Sequence, residues 1–314
     1  MEMDNERIDI PLSNQADLCV GNGKYLRLLE SVFKVRIEID GDRIVIIGNA
    51  AANVCAASSI SALISLLDRG ETLDVATVEY IAALSNEGRL SAFLSSADIP
   101  ILQTHKGKSI RSKTLGQRVY LDAASKSDII LCIGPAGTGK TYLGVALAVA
   151  AFKKREVSRI ILARPAVEAG ERLGFLPGDI KEKVDPYMRP IYDALFDLLG
   201  EEAFLRYSEK GLIEVSPLAF MRGRTLDDAY VLLDEAQNTT VEQMKMFLTR
   251  IGLNARAIVC GDITQVDLPK GVQNGLSDAA ARLFDIPGIS VITLADSDIV
   301  RNPLVQKIIK AYND

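Results

Sequence analysis

The stretch from Gly134 to Thr141 limits the fold more than any other part of the chain. Its letters, GPAGTGKT, satisfy the pattern G-x-x-x-x-G-K-[ST] of a phosphate-binding loop. An apolar run at 128–133 precedes it and an alanine-rich segment at 142–152 follows it, which predicts a buried strand, the loop and a helix. Glycines permit the tight turn, and a helix N-terminus favours an anion, so the sequence predicts a nucleotide site on a parallel sheet.

The residues of this loop have separate predicted roles. Backbone N–H groups converge on the phosphates, Lys140 reaches the β- and γ-phosphates, and Thr141 holds Mg²⁺. A glycine-rich turn with a chance lysine is the alternative, and the flanking strand and helix argue against it. The predicted nucleotide-binding residues are Gly134, Pro135, Ala136, Gly137, Thr138, Gly139, Lys140 and Thr141.

A second motif ends in two carboxylates. The apolar run at 230–233 leads into Asp234 and Glu235, as a Walker B strand does. A carboxylate at the end of a strand neighbouring the phosphate loop can hold Mg²⁺ through water, and the next carboxylate can polarise the attacking water. We therefore predict that Asp234 binds the metal and that Glu235 is catalytic, although paired acids alone are also common in solvated turns.

A third strand candidate, ending at Cys260, opens into the turn GDITQVD. Gln265 in this turn is expected to take part in catalysis by sensing the γ-phosphate through a hydrogen bond, so that hydrolysis changes the neighbouring loops. A simple Gly-Asp turn is the alternative. Further strand candidates alternate with helical segments and predict a parallel sheet covered on both faces; they lie at 159–163, 212–215, 229–233 and 289–294.

The N-terminal region is predicted to form a small α+β module. The pattern gives a strand with a turn at 6–20, a helix at 24–33, a hairpin at 35–47 and helices at 50–67 and 74–84. The module is loosely similar to KH-type RNA-binding modules but has no G-x-x-G loop between two helices, so RNA binding and a regulatory platform both stay open. The predicted domains are a KH-like module at 1–95, a linker at 96–113 and an ATPase domain at 114–314.

Composition limits the partners and the compartment. The net charge of −5 gives no global positive field, so nucleic acid would need a local patch such as the basic stretch at 106–113. Four cysteines without C-x-x-C spacing predict reduced core residues, and the single His105 nearly excludes a histidine-based site. No N-terminal leader and no apolar run of membrane-spanning length stand out, so we expect a soluble cytoplasmic protein that does not bind membranes.

Several further motifs carry a resemblance to a known family. With Gln117 ahead of the phosphate loop, they make residues 105–314 resemble the PhoH-like family of bacterial ATPases, which is similar to the core of superfamily 1 helicases with one RecA-like domain. These motifs are ARP at 163–165, LGFLPG at 173–178, MRGRT at 221–225, LDEAQN at 233–238, GD at 261–262 with Gln265 and Asp267, and IVR at 299–301, followed by PLV at 303–305.

The resemblance implies a fold and several roles. The implied fold class is α/β, with a RecA-like P-loop NTPase parallel sheet and a small N-terminal α+β module. By position, Gln117 would read the adenine edge. Arg301 would stabilise charge on the transferring phosphoryl group, in cis or as an arginine finger across a subunit boundary. Asn302 stands where the family often has histidine, which leaves the role of that neighbour open. Whether Arg164, Arg222 and Arg224 contact phosphates or carboxylates is also open.

The predicted function is Mg²⁺-dependent ATP hydrolysis acting on or with RNA or a ribonucleoprotein. A nucleotide-gated binding or assembly module with slow turnover is the alternative. A small-molecule kinase is less favoured, because residues 234–237 resemble helicase sequences and no acceptor site is evident. The resemblance also implies a homo-oligomer, a ring such as a hexamer.

Overall fold

A computed structural model describes residues 6–11, 16–70, 73–96, 100–165 and 180–300, together with residues 305, 308 and 311. The chain divides into two compact units, Met1–Asp98 with Val300–Asp314 and Ile99–Ile299. The domain boundaries drawn from the sequence, 1–95, 96–113 and 114–314, stay a prediction.

The smaller unit contains an antiparallel sheet in the order β1-β3-β2. Ile44 and Ile46 on β3 are fully buried, as are Leu29 on α1, Leu63 on α2 and Ile81 on α3. Helices and strands therefore share one apolar core, as an α+β module requires. The elements are β1 (Glu6–Pro11), α1 (Ala16–Phe33), β2 (Arg36–Asp40), β3 (Arg43–Gly48), α2 (Ala50–Asp68), α3 (Val75–Asn86) and α4 (Leu90–Ser96).

Helix α1 corrects the prediction of a strand up to residue 20. It begins at Ala16 and continues through Gly21 and Gly23. Gly23 has φ +69°, a backbone conformation that glycine adopts readily. In the sequence, this glycine interrupts the helical pattern. Helix α4 was not among the helices predicted for the N-terminal module. Its Phe93 is buried, and the Phe93 ring contacts the Tyr80 ring edge-on at 5.8 Å.

Helix α2 corrects the expectation that no segment reaches membrane-spanning length. By length and composition it is the one such helix within the part of the chain that the structure describes. Ala56, Ile60 and Leu63 are nevertheless fully buried, and the helix contacts α1, α3 and β1. A core helix of a soluble protein passes the same test, so α2 is weak support for a membrane span.

The larger unit is built on a six-stranded parallel sheet in the order β11-β6-β10-β9-β7-β8. This sheet and the small antiparallel sheet of the N-terminal unit confirm the predicted α/β fold class. The strands are β6 (Ile129–Ile133), β7 (Arg159–Arg164), β8 (Ile213–Pro217), β9 (Ala229–Leu233), β10 (Arg256–Gly261) and β11 (Ile289–Thr293). The helices are α5 (Leu115–Ala124), α6 (Lys140–Lys153), α7 (Ile180–Leu199), α8 (Glu201–Glu209), α9 (Val241–Leu248) and α10 (Gly275–Leu283).

Side chains alternate between two apolar layers along each central strand. Leu232 on β9 and Cys260 on β10 join the layer that holds α6 and α7, whereas Leu233 and Val259 join the layer with α9 and α10. This period of two is the expected geometry of strands covered on both faces. Because the strands are parallel, the loops at their carboxyl ends share one edge of the sheet, where the candidate site lies.

The segment predicted as a linker contains a short hairpin of the larger unit. Strands β4 (Leu102–Gln103) and β5 (Ser109–Ile110) pair antiparallel. Ile110 is buried in the apolar layer that holds α6. The basic residues Lys106 and Lys108 lie between or beside the strands and are exposed.

Close packing of α6 on the sheet gives a stability prediction. A Cβ on Gly144 would lie 2.7 Å from Leu232 Cδ1 and 3.1 Å from the Tyr120 hydroxyl, and both side chains are fully buried. Gly144→Val should lower the free energy of unfolding by about 1–3 kcal/mol, because the buried neighbours leave no room. Urea denaturation measures the change.

The control is Ala51→Val, which adds a branched side chain at an exposed helical position and should change stability by about 0.5 kcal/mol or less. Equal stability of Gly144→Val and the unsubstituted protein would contradict the close approach of α6 to β9.

Candidate functional site

The loop between β6 and α6 has the backbone geometry that phosphate binding requires. Gly137 has φ +88° and Gly139 has φ +81°, conformations that side chains disfavour. Gly139 immediately precedes Lys140, the first residue of α6. The N-terminal N–H groups of this helix and its partial positive charge therefore face the edge of the sheet where the loop lies.

Lys140 is 8% exposed and its ammonium group is bonded to its own loop. Nζ donates to the carbonyl oxygens of Gly134 at 2.6 Å and Pro135 at 2.8 Å, and lies 3.4 Å from Thr138 Oγ1. Phosphate oxygens would accept the same N–H groups. A phosphate bound by Lys140, as the sequence predicts, would replace these acceptors, because the ammonium group has no unused N–H.

Asp234 lies at the end of β9 and is 3% exposed. Thr141 Oγ1 donates to its Oδ1 at 2.6 Å, and Arg164 Nε donates to its Oδ2 at 3.0 Å. Burial raises the pKa of Asp234, while Arg164 and the Thr141 hydroxyl oppose that shift. Strand β10 stands between β6 and β9. Thr141 on α6 spans the gap and brings the phosphate loop to Asp234.

Glu235 follows with a left-handed backbone, φ 53° and ψ 36°. Arg164 Nη2 donates to its Oε1 at 2.8 Å, and Gln237 Nε2 donates to its Oε2 at 2.6 Å. The side chain is 41% exposed although both carboxylate oxygens have partners. The carboxylate is therefore held in one orientation while its surface stays accessible to solvent.

The end of β10 closes this network onto the phosphate loop. Asp262 Oδ2 accepts from the Ala136 N–H at 3.0 Å, and the Asp262 N–H donates to Gln237 Oε1 at 3.0 Å. Asp262 Oδ1 also accepts from the hydroxyl of Thr264 at 2.6 Å. The loop is thus tied to the sheet edge at Ala136 and at Thr141. The sequence singled out the Gly-Asp turn but gave Asp262 no role of its own.

Gln117 and Gln265, which the sequence predicted as site residues, both lie in the larger unit; Gln117 is buried and Gln265 is exposed. Gln117 on α5 is 4% exposed; its Oε1 accepts from the Lys113 N–H at 2.7 Å and its Nε2 donates to the Thr138 carbonyl at 3.0 Å. Gln265 is exposed in the turn after β10, and its N–H donates to the Asp262 carbonyl at 3.0 Å. The structure thus brings the Gln117 side chain to the phosphate loop and leaves that of Gln265 at the surface.

The arginines fall into different environments. Arg164 pairs with both Walker B carboxylates, whereas Arg224 pairs with Glu214 at 2.6 Å. Arg222 is exposed. Arg301 and the LGFLPG motif at 173–178 lie outside the described residues. Sequence spacing could not have found the contacts of Arg164, because it is 70 residues from Asp234.

The donor set beside the loop fits Mg²⁺. Thr141 and Asp234 supply a hydroxyl and a carboxylate in direct contact, and Mg²⁺ takes oxygen ligands from one or two protein groups together with phosphates and water. Within residues 6–300, apart from the gaps given above, no cluster of three or more His, Cys, Asp or Glu side chains could hold a metal ion. The available oxygen ligands therefore suit a metal shared with a nucleotide.

A strand, a glycine-rich loop and a helix that meet a buried carboxylate define a P-loop nucleotide-binding protein. Residues 109–313 match the family of PhoH-like proteins. The chain belongs to this family.

Two relatives cover nearly the whole chain. It is 51% identical over 289 residues to a PhoH-like protein of Bacillus subtilis, covering 92% of this chain and 91% of that protein. It is 47% identical over 307 residues to a PhoH-like protein of Mycobacterium bovis, covering 97% and 86%. Among solved structures, the chain is similar to a large terminase of bacteriophage D6E, with a TM-score of 0.36 and 12% identity. The match covers 60% of this chain and 45% of the terminase chain. A score this low supports no inference about function.

The contact between Thr141 and Asp234 gives a second prediction. Thr141→Val keeps the shape of the side chain but removes the donor to Asp234 Oδ1, which leaves a buried carboxylate oxygen without that bond. Without nucleotide, the free energy of unfolding at neutral pH should fall by about 1–3 kcal/mol. Urea denaturation is the measurement.

Thr249→Val is the matched control, because the Thr249 hydroxyl is bonded to Lys245 O at 2.8 Å at an exposed helix end and its loss should be nearly neutral. Equal stability of the two variants would show that Asp234 does not depend on the Thr141 hydroxyl.

Proposed function

We propose that this protein binds ATP with Mg²⁺, hydrolyses it, and acts on or with RNA. The observation that carries the proposal is Glu235, whose carboxylate is fixed by Arg164 at 2.8 Å and Gln237 at 2.6 Å in the same network as the phosphate loop. A fixed and accessible carboxylate beside a phosphate site suits activation of water.

Each residue of the network has a part in this reaction. The N–H groups of the loop and Lys140 Nζ would bind the phosphates, and Thr141 with Asp234 would hold Mg²⁺. Bound Mg²⁺ supplies neutralisation of charge on the phosphate oxygens. Glu235 would orient the attacking water and take its proton, while Gln265 would sense the γ-phosphate from the turn after β10.

Two further roles complete the proposal. Gln117 would read the adenine edge, and for this its amide must exchange the bonds to Lys113 and Thr138 for bonds to the base. Arg301 would neutralise charge on the transferring phosphoryl group, in cis or from a neighbouring subunit of a ring-shaped homo-oligomer such as a hexamer.

RNA is the proposed partner, in the cytoplasm. The chain as a whole has a net charge of −5, so the support comes from a local basic patch. Lys106, Lys108 and Lys113 are exposed within eight residues of each other. Clustered cations of this kind bind the phosphate backbone without reading its sequence. The N-terminal unit is a second proposed contact for RNA or a ribonucleoprotein.

A nucleotide-gated binding module with slow turnover is the second candidate. The observation that favours it is that Lys140 and Glu235 are both already hydrogen-bonded within the protein. Nucleotide binding must break some of these bonds, so each cycle includes a rearrangement of the loop that would limit the rate.

The third prediction tests hydrolysis with two variants. Lys140→Ala should abolish nucleotide binding or turnover, because the phosphates lose their cation. Glu235→Gln should bind ATP and lower turnover by about 100-fold or more, because an amide cannot take a proton from water. Steady-state phosphate release and titration with a fluorescent ATP analogue measure the two effects.

Both variants should keep the unfolding midpoint of the starting protein within a few degrees, which separates loss of function from loss of fold. Turnover of Lys140→Ala at the unsubstituted rate would contradict the assignment of the site. The same assay with single-stranded RNA separates the two candidates. Stimulation of turnover by RNA supports the ATPase, and tight ATP binding with slow turnover that RNA does not raise supports the gated module.

The fourth prediction concerns Arg301 and the proposed oligomer. Arg301→Ala should be inactive, because such arginines contribute about 10³–10⁵ in rate. If Arg301 acts in trans, mixing this variant with inactive Lys140→Ala should restore activity, because some interfaces then pair an intact loop with an intact arginine. Phosphate release of the mixture is the measurement.

Subunit exchange must be verified in the same samples, for example by energy transfer between two labelled variants. Free exchange with no recovered turnover would show that Arg301 acts in cis or only structurally.

A further inference from the structure

Arg164 is the one residue that contacts both Walker B carboxylates among the described hydrogen bonds. It is the last residue of β7, which pairs with β9 in parallel up to Ala163 and Leu233. The Asp234 N–H donates to the Ala163 carbonyl at 2.9 Å, so the backbone ladder continues to this point. The sheet itself therefore brings the guanidinium beside Asp234 and Glu235.

The guanidinium has little freedom to turn toward another partner. Nε bonds Asp234 Oδ2 at 3.0 Å, Nη2 bonds Glu235 Oε1 at 2.8 Å, and Nη1 donates to the carbonyl of Tyr187 on α7. Its side chain is 13% exposed. A planar fork with three directions of donation is fixed by three acceptors, which a lysine could not reproduce.

Glu235 depends on this fork for its orientation. The carboxylate is 41% exposed and has two fixed partners, Arg164 on one oxygen and Gln237 on the other. Without Arg164, one bond remains and the carboxylate can rotate about it. Misplacement of a catalytic group by about 1 Å can cost about 100-fold in rate.

We propose that Arg164 is a positioning residue for ATP hydrolysis, which orients the Glu235 carboxylate and does not bind the nucleotide. The proposal rests on the proposed function. Arg164 also bonds Asp234, but bound Mg²⁺ would supply the counter-charge of that carboxylate. At saturating Mg²⁺ the loss of Arg164 therefore lowers kcat through Glu235 and leaves the affinity for nucleotide nearly unchanged. Its loss also has no further effect once Glu235 has been made inactive.

The test is a double-mutant cycle with Arg164→Gln, Glu235→Gln and the double variant, read by single-turnover hydrolysis and by titration with a fluorescent ATP analogue. Arg164→Gln should lower kcat by about 100-fold and change the dissociation constant by less than about 3-fold, as expected for a residue that makes no ground-state contact. In the Glu235→Gln background it should lower the rate by less than about 3-fold, because residues that act as a unit are not additive.

Arg164→Lys is a second variant that keeps a cation beside the buried Asp234 and is therefore expected to fold if Arg164→Gln does not. It should show the same loss of kcat, since one ammonium cannot hold both carboxylates. Arg256→Gln is the control: Arg256 pairs with Glu156 at 3.2 Å at the other end of β10, and its loss should leave kcat and affinity unchanged.

Full additivity in the cycle would overturn the proposal, and so would weaker nucleotide binding with unchanged kcat, which would assign Arg164 to the phosphates. These outcomes leave the proposed function intact, because the unsubstituted protein still hydrolyses ATP in a Glu235-dependent manner. No hydrolysis by the unsubstituted protein would overturn both.

Discussion

The buried carboxylate of Asp234 joins the first turn of α6 to the end of β7. At 3% exposure it needs partners, because an isolated buried charge costs several kcal/mol. Its side-chain partners are the hydroxyl of Thr141 on α6 and the guanidinium of Arg164 on β7. Satisfying one side chain thus fixes the first turn of α6 against the ends of two strands.

Hydrogen bonds within the protein also hold the phosphate loop in place. Lys140 bonds two loop carbonyls, Gln117 bonds the Thr138 carbonyl, and Asp262 bonds the Ala136 N–H. Lys140 and Gln117 are proposed to contact the nucleotide, and Asp262 contacts the loop beside them. In the proposed function, a bound nucleotide would exchange hydrogen bonds with these groups, so the net free energy for each bond would be small.

Much of this could be predicted from the sequence, and the remainder has physical reasons. The strand, loop and helix around Lys140 and the strand before Asp234 are local patterns, and the structure has them within one or two residues. The start of α1 was missed because local propensity counts glycine as a helix end. Gly23 instead lies inside the helix with a positive φ. Strand order and the contacts of Arg164 and Asp262 depend on residues far apart in the chain, which periodicity cannot reveal.

In the proposed nucleotide complex, phosphates replace the internal partners of the loop. A crystal structure with Mg²⁺ and a non-hydrolysable ATP analogue would show this replacement. We expect the phosphates to lie against the N–H groups of residues 137–141 and Mg²⁺ to lie beside Thr141 and Asp234. Lys140 Nζ should then bond a phosphate and no longer the Gly134 and Pro135 carbonyls. An analogue bound elsewhere, or a loop that keeps the Lys140 bonds with phosphate present, would contradict it.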